Sequence, residues 1–208
     1  TLVRLITGIY QPTGGSVTID GIPTKDIKPS SLYGLMSGVF QKFQKYQMTL
    51  RENVMISDPD TEREDGTLLE TLKKADVDIE SQSYPDGLET MLSREFDGVD
   101  LSGGQWQRVS IARGVNRDSK VIVLDEPTAA IDPIEETKIY KKFKEISDER
   151  TTVLVTHRLG SARIADRIVV MENGRVAEIG THDELINKKG TYYVLFMSQA
   201  QWYENQNA

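Results

Sequence analysis

Two acidic side chains directly follow a short apolar run in the segment VIVLDEP (121–127). If that run is a strand of a parallel sheet, Asp125 and Glu126 lie at its carboxyl end, where ligands bind in this class of fold. Alternate side chains of a strand point in opposite directions, so the two acids need not compete for one ligand. Asp125 is a candidate Mg²⁺ ligand, and Glu126 is a candidate base for an attacking water. The alternative is a pair of solvated acids in a strand-to-loop turn.

A second candidate site is the segment LSGGQ (101–105). Ser102 is a typical N-cap for the helical pattern after it, and Gly103 and Gly104 leave the backbone amides open to close approach. Exposed N–H groups at a helix N-terminus bind anions, which makes phosphate the natural ligand. A plain turn before an amphipathic helix also explains Ser-Gly-Gly, but the whole string arises by chance on the order of once per million windows.

Two further apolar runs end in polar side chains, SGVFQ at Gln41 and TTVLVTH at His157. The uncharged side chain of Gln41 is able to contact a metal ion or water. Either residue alone is compatible with a structural or surface role. Together with the two acids at the same sheet edge, they form the convergent polar set that a nucleotide-hydrolysing site requires.

The elements that must position these residues alternate between short strands and helices. Such alternation predicts an α/β fold with a mainly parallel sheet and flanking helices. The segment 166–180 predicts a hairpin that turns at Asn173-Gly174. The predicted strands are GSVTIDG (15–21), SGVFQ (37–41), KVIVLDE (120–126) and TTVLVTH (151–157).

Several helix boundaries are marked by capping residues. The opening TLVRLITG predicts a helix that ends at Gly8. Thr49 with Glu52 and Thr181 with Glu184 have the capping-box spacing. Asp132 is a predicted N-cap, and the helix after it is expected to bury Ile139, Phe143 and Ile146.

Residues 42–113 interrupt the α/β pattern with helical stretches (66–75 and 104–116), polar loops and no convincing strand. We interpret them as a helical lobe inserted in an α/β core made of residues 1–41 and 114–185. Residues 186–208 are expected to form a C-terminal helix and tail.

The composition excludes several classes of protein. The 208 residues carry a formal net charge of −7, which counts against a large non-specific nucleic-acid surface. The absence of cysteine excludes disulfides and thiolate metal sites. No apolar run reaches the length of a membrane-spanning helix.

The order of Gln41, LSGGQ, VIVLDEP, AAID and VTH resembles the nucleotide-binding domain of ABC transporters, from Thr1 to about Leu195. The segments FQKFQKYQMTLRENV and GRVAEIGTHDELINKKGTYYVLF are similar to those of bacterial peptide and bacteriocin exporters. The resemblance implies a P-loop NTPase-like fold, ATP and Mg²⁺ as cofactors, and a head-to-tail dimer with a second nucleotide-binding domain.

The resemblance also assigns roles to individual residues. Gln41 would sense Mg²⁺ and the transmembrane partner, and the signature residues would reach the γ-phosphate of ATP held by the other subunit. The implied set is Ser102, Gly103, Gly104 and Gln105 for the signature, Asp125 for Mg²⁺, Glu126 as catalytic base, Asp132 in the D-loop and His157 as the switch histidine.

Three features lie outside that assignment. Glu95 is the candidate for the acidic stretch before the signature, and His182 is interpreted as structural. The apolar side chains of the Gln41 region either belong to the lobe core or receive a membrane-domain helix. These side chains are Phe43, Tyr46, Met48 and Leu50.

The family's phosphate loop, G-x-x-G-x-G-K-[ST], and its adenine-stacking aromatic residue do not occur in the chain. TLVRLITG matches the Thr-Leu and helix that come directly after that loop in the family, with Thr1 as the last residue of the loop. We therefore expect an N-terminally truncated domain that binds ATP poorly and hydrolyses none by itself.

The resemblance implies the ATPase motor of an exporter for a peptide, lipid or drug-like substrate. The intact protein would act at the cytoplasmic face of the plasma (inner) membrane with a transmembrane domain fused upstream, and this fragment would be soluble. The alternative is a soluble ABC-type ATPase that acts on nucleic acid or ribosomes. Such proteins usually pair two cassettes or carry long coiled-coil insertions, and the sequence shows neither.

Overall fold

The computed structural model describes the backbone of residues 1–128, 133–147 and 150–206. It describes the side chains of those ranges except residues 133–138, 141 and 202–206. The chain divides into two compact units, Thr1–Val155 and Thr156–Ala208. The finer division into an α/β core and an inserted lobe stays a prediction.

The first unit contains six helices and five strands in its described part. Short 3₁₀ turns at Thr24–Asp26, Gly87–Glu89 and Arg94–Phe96 connect some of them. In chain order the elements are α1 (Leu2–Ile6), β1 (Thr18–Ile19), β2 (Ile22–Pro23), α2 (Pro29–Leu35), β3 (Met36–Val39), α3 (Leu50–Met55), α4 (Asp65–Lys74), α5 (Gly103–Asn116), β4 (Val121–Asp125), α6 (Pro133–Ser147) and β5 (Thr151–Val155).

The sheet of the first unit is parallel, as the sequence predicts. β4 lies between β3 and β5, with Val39 opposite Leu124 and Asp125 opposite Val155. The middle residues of β4 are almost completely inaccessible, because helices must cover both faces of a parallel sheet. The carboxyl ends of β3, β4 and β5 therefore lie at the same edge of the sheet.

Helix α5 has 14 residues and packs directly on β3. Its residues Val109, Ala112 and Val115 are buried. At Gly114 the two backbones approach so closely that an added Cβ would lie 2.5 Å from Cγ2 of Val39. The Ser37 hydroxyl also donates to the Gly114 carbonyl at 2.6 Å.

The residues between β3 and β4 form a helical segment, as the sequence predicts. Within this fully described stretch the only strand-like pairing is a single bridge between Thr49 and Met91. The Thr49 capping box at the start of α3 is present, with the Glu52 amide donating to Thr49 Oγ1 and the Thr49 amide to Glu52.

The N-terminal region differs from the prediction in one element. Residues 15–21 do not form a single strand, because Asp20 and Gly21 adopt positive φ angles of 48° and 78° and reverse the chain. The result is the small antiparallel hairpin of β1 and β2. The predicted helix end is confirmed, since Gly8 follows α1 with a φ of 73°.

The second unit begins with α7 and contains the predicted antiparallel hairpin. Asn173 and Gly174 form its turn with φ angles of 50° and 76°. The capping box of Thr181 and Glu184 is also present. Its elements are α7 (Leu159–Ala162), β6 (Ile168–Glu172), β7 (Arg175–Gly180), α8 (His182–Lys188) and α9 (Thr191–Gln206).

The core of the second unit is built around Tyr192 and Leu185, which are both almost fully buried. The buried carboxylate of Glu178 accepts a hydrogen bond from the Tyr192 amide at 2.8 Å. Gly190 is required beside it, since an added Cβ would meet a Glu178 oxygen at 1.8 Å.

No helix among the described residues is long and apolar enough to cross a membrane.

We expect Gly114→Ala to lower the free energy of unfolding by about 1–3 kcal/mol, because the new methyl group overpacks the contact between α5 and β3. Gly66→Ala on α4 is the control, since an added Cβ there meets no atom within 4 Å. It should leave stability unchanged or raise it by about 0.4–1 kcal/mol. Chemical denaturation of both variants measures the difference, and equal effects would contradict the close packing at Gly114.

Candidate functional site

Three of the predicted site residues lie at the carboxyl edge of the sheet. Asp125 is the last residue of β4, and Glu126 follows it immediately. Val39, the last residue of β3, pairs with Leu124 of β4. Gln41 and Glu126 each come two residues after this pair. Asp125 and Glu126 are partly buried, whereas Gln41 is exposed. The edge therefore combines two carboxylates and an amide.

Glu126 has an unusual backbone conformation, with a φ of 49°. This left-handed conformation costs a residue with a side chain about 1–2 kcal/mol, so surrounding contacts must hold it. The Glu126 amide donates to the Val155 carbonyl at 2.9 Å. The Glu126 carbonyl accepts from Nε2 of Gln107 at 3.4 Å. The backbone of Glu126 is therefore held by β5 and by α5.

The signature residues form the N-terminus of α5. Ser102 Oγ accepts from the Gln105 amide at 3.3 Å, and the Ser102 amide donates to Gln105 Oε1 at 2.8 Å. This capping box uses the amides of Ser102 and Gln105. The amides of Gly103 and Gly104 belong to the first turn, which has no intrahelical acceptors for them. The geometry fits an anion at the helix N-terminus.

Gln105 also extends its side chain away from the helix end, donating from Nε2 to Ser83 Oγ at 2.7 Å. A cavity of about 380 Å³ lies beside this bond. Gln105, Tyr84 and Arg108 line it together with Asp76, which forms ion pairs with Arg108 and Lys142. The signature helix is thus attached to residues 76–84 through polar contacts.

The segment after Gln41 is partly apolar surface and partly core. Leu50 is completely buried, so the structure assigns it to the core of the first unit. Phe43 and Tyr46 are half-buried, and Met48 is exposed. Gln47 Nε2 donates to a carboxylate oxygen of Glu95 at 2.9 Å, so the acidic residue before the signature contacts the Gln41 region.

The remaining predicted residues belong to other parts of the chain. His157 belongs to the second unit, where its carbonyl accepts from the Gln199 side chain. Thr1 is exposed and precedes α1. Asp132 lies outside the described residues. His182 packs as a structural residue, with Nδ1 2.9 Å from the Tyr192 hydroxyl.

The donor groups at the sheet edge fit a hard cation. Asp125 supplies a carboxylate and Gln41 an amide oxygen, both of the oxygen class that Mg²⁺ prefers. Among the described residues no group of three or more His, Asp or Glu side chains could hold a metal ion alone. Mg²⁺ at such a site would complete its shell with water and phosphate oxygens, as is usual for this ion.

Sequence reasoning missed the residues that support the site from α5 and α3. Gln107 contacts the Glu126 peptide, and Arg113 binds the segment after Gln41 together with Asn53. These partners are 19 to 69 residues apart in sequence. The one sequence feature that could have indicated these contacts is the presence of large polar side chains on α5, a helix that otherwise faces the core.

Comparisons with known proteins identify the class of protein. The family model for ABC transporters matches residues 1–129, which is more than half of the chain. The chain therefore belongs to the ABC transporter family. The sequence interpretation as an ABC nucleotide-binding domain is confirmed.

Relatives named as transport or export proteins are similar to the chain. It is 36% identical over 201 residues to the nisin transport ATP-binding protein NisT of Lactococcus lactis subsp. lactis, covering 96% of this chain and 33% of NisT. It is 41% identical over 199 residues to the putative multidrug export ATP-binding/permease protein YgaD of Bacillus subtilis (strain 168), covering 96% and 34%. The chain thus spans about a third of the length of these relatives.

A solved structure agrees with the fold. The bacterial Atm1-family ABC exporter with ATP bound is similar with a TM-score of 0.85 and 28% sequence identity, covering 96% of this chain and 34% of that chain. The α/β fold with a parallel sheet and a C-terminal hairpin is confirmed. The comparisons give no support to an ATPase that acts on nucleic acid or ribosomes.

Tyr84, which lines the cavity beside Gln105, allows the packing of this region to be tested by its pH dependence. Burial raises the pKa of Tyr84 to about 12, with Arg108 opposing the shift. Because the pKa of Tyr84 is higher in the folded protein than in the unfolded chain, its neutral hydroxyl stabilises the fold fully below pH 10, and this stabilisation is lost as the pH rises towards 12. We expect the wild type to lose on the order of 2 kcal/mol of unfolding free energy in this window, and Tyr84→Phe not to show this loss.

The measurement is urea unfolding at pH 9 and pH 11.5 for the wild type and Tyr84→Phe. Tyr33→Phe is the matched control, because Tyr33 is exposed. An equal loss of stability at high pH in the wild type and in Tyr84→Phe would contradict the burial of the Tyr84 hydroxyl.

Proposed function

We propose that the chain is the ATP-hydrolysing motor domain of an ABC exporter. The observation that carries the proposal is the pair Asp125 and Glu126 at the carboxyl end of the central strand. The strained backbone at Glu126, held by β5 and Gln107, supports a positioned carboxylate rather than a solvated one. The relatives named as nisin transport and multidrug export proteins support the transport role.

In this proposal the sheet edge performs the chemistry. Bound ATP and Mg²⁺ supply the phosphoryl group and the charge that polarises it. Asp125 and Gln41 hold the metal ion, and Glu126 orients the attacking water and accepts its proton. The resemblance alone assigns His157 to the γ-phosphate and Thr1 to phosphate binding. Asp132 is assigned to the dimer contact by the resemblance alone.

The signature segment acts on a second nucleotide-binding domain, which is an identical chain or a paralogue. The amides of Gly103 and Gly104 bind the γ-phosphate of ATP held by that partner, with the positive end of the α5 dipole directed at it. Ser102 keeps this first turn in place through its capping box. Two domains therefore close around two nucleotides in a head-to-tail dimer.

The motor works with a transmembrane domain, which places the full-length protein at the cytoplasmic face of the plasma membrane. This assignment is supported by relatives about three times as long as the chain, among them a combined ATP-binding/permease protein. The half-buried Phe43 and Tyr46 and the exposed Met48 offer an apolar contact for such a partner. The proposed substrate class is a peptide, lipid or drug-like molecule.

The function is tested by Glu126→Gln in the full-length protein. The variant keeps the shape of the side chain but removes the base, so ATP hydrolysis should fall by about 100-fold or more while ATP binding is retained. Phosphate release and nucleotide binding measure the two properties. Glu172→Gln is the control, because Glu172 is an exposed glutamate at the end of β6. Unchanged turnover in Glu126→Gln, or no Mg²⁺-dependent turnover in the wild type, would refute the proposal.

Variants of Ser102 separate helix capping from phosphate binding. Asp is as good an N-cap as Ser, so Ser102→Asp should preserve the stability of α5. Its carboxylate would lie where the partner's γ-phosphate binds, and the repulsion should abolish ATP hydrolysis and ATP-induced dimerisation. Ser102→Thr keeps the hydroxyl and should retain most activity.

Thermal unfolding, ATPase assays and size-exclusion chromatography with ATP compare these variants. Full activity in a stable Ser102→Asp variant would show that this helix end does not meet phosphate.

A further inference from the structure

Gln41 lies in residues 40–48, a segment between β3 and α3 that has no regular structure, and residues 40–43 are called the Gln41 loop. The first end of this loop is fixed by α5. Val39 packs against Gly114 at a distance that excludes any side chain there, and the Ser37 hydroxyl donates to the Gly114 carbonyl. The strand cannot move relative to this turn of α5 without breaking both contacts.

The second end of the loop is fixed by the preceding residue of the same helix. NH1 of Arg113 donates to the carbonyl of Gln44 at 3.1 Å. The Arg113 guanidinium also lies 4.8 Å from the centre of the Tyr46 ring, a cation–π distance. Consecutive residues of α5, Arg113 and Gly114, therefore hold the chain on either side of Gln41.

Asn53 on α3 completes this attachment. Arg113 donates to the Asn53 carbonyl from Nε and to Asn53 Oδ1 from NH2, both at 2.8 Å. The Asn53 amide nitrogen lies within 3.0–3.1 Å of the carbonyls of Tyr46, Met48 and Thr49. Arg113 and Asn53 thus form one polar cluster under residues 44–49, and Asn53 is completely buried.

The chemistry of the cluster requires arginine. Burial lowers the pKa of Arg113, with Tyr46 opposing the shift. Among the described residues its oxygen partners are two backbone carbonyls and one side-chain amide, and none of these three carries a negative charge. A guanidinium donates in several fixed in-plane directions at once, whereas a lysine ammonium is a point donor that cannot span these partners.

We propose that Arg113 is a positioning residue for Gln41. Together with Gly114 it fastens both ends of the Gln41 loop to the last turn of α5, the helix whose first turn carries the signature residues. The two turns are centred about 15 Å apart along one continuous helix. The helix that presents the signature turn therefore also sets the position of Gln41 at the sheet edge. The inference rests on the function proposed above.

The test is Arg113→Lys in the full-length protein, measured by steady-state ATP hydrolysis. We expect kcat to fall by about tenfold, with KM for ATP changed by less than about twofold, because the catalytic set is misplaced while ground-state binding is kept. In a Gln41→Ala background the same substitution should change kcat by less than about twofold, since Arg113 acts through Gln41. A merely structural role would reduce activity equally in both backgrounds.

Hydrogen exchange provides a readout that does not depend on residual activity. In Arg113→Lys the amides of residues 42–49 should exchange faster, while those of β4 are unchanged. Asn53→Asp is the second variant, because it keeps an acceptor for Arg113 but loses the donor to the three carbonyls. It should loosen the same segment. Lys45→Gln is the control, since it removes a positive charge from an exposed position of that segment.

Equal effects of Arg113→Lys in both backgrounds, or exchange that increases throughout the first unit, would overturn the inference. So would unchanged kcat and unchanged exchange. These results differ from failure of the proposed function, which would show as ATP hydrolysis that is absent from the wild type or insensitive to Glu126→Gln.

Discussion

The contact on which the candidate site depends is the approach of α5 to β3 at Gly114. Gly114 has no side chain there, and a single added methyl group would collide with the Val39 side chain. Because protein interiors are close-packed, this contact fixes the distance between the helix and the sheet. The positions of the polar groups that α5 offers to the site are all set by that distance.

Three faces of α5 meet three parts of the first unit. Gln105 and Arg108, three residues apart, contact Ser83 and Asp76. Gln107 and Gly114, seven residues apart, share the face directed at the sheet, where they meet the Glu126 peptide and Val39. A third pair, Arg113 and Asn116, contacts Asn53 and Val54 of α3 and Ser57, the second residue after that helix. One helix therefore relates the turn proposed to meet phosphate, the proposed base Glu126 and the Gln41 loop.

The sequence predicts the local features of this arrangement well. The strands of the parallel sheet follow from their β-branched apolar runs, and the capping boxes of Thr49, Ser102 and Thr181 follow from residue types at fixed spacing. The prediction of one strand over residues 15–21 is wrong, because it underestimates the turn potential of Asp20-Gly21. The contacts of Arg113 with Gln44 and Asn53 could not be predicted, since they depend on how α5 packs. The family motifs identify Gln41 but do not indicate what holds it.

The central claim is that α5 connects phosphate at its first turn with Gln41 at the sheet edge. The most direct measurement is a structure of the full-length Glu126→Gln protein with ATP and Mg²⁺. We predict that the amides of Gly103 and Gly104 contact the γ-phosphate of nucleotide held by the partner domain, that Asp125 and Gln41 face the metal ion, and that the Arg113–Gln44 bond persists. Nucleotide bound away from the start of α5, or a Gln41 loop that moves independently of Arg113, would contradict the account.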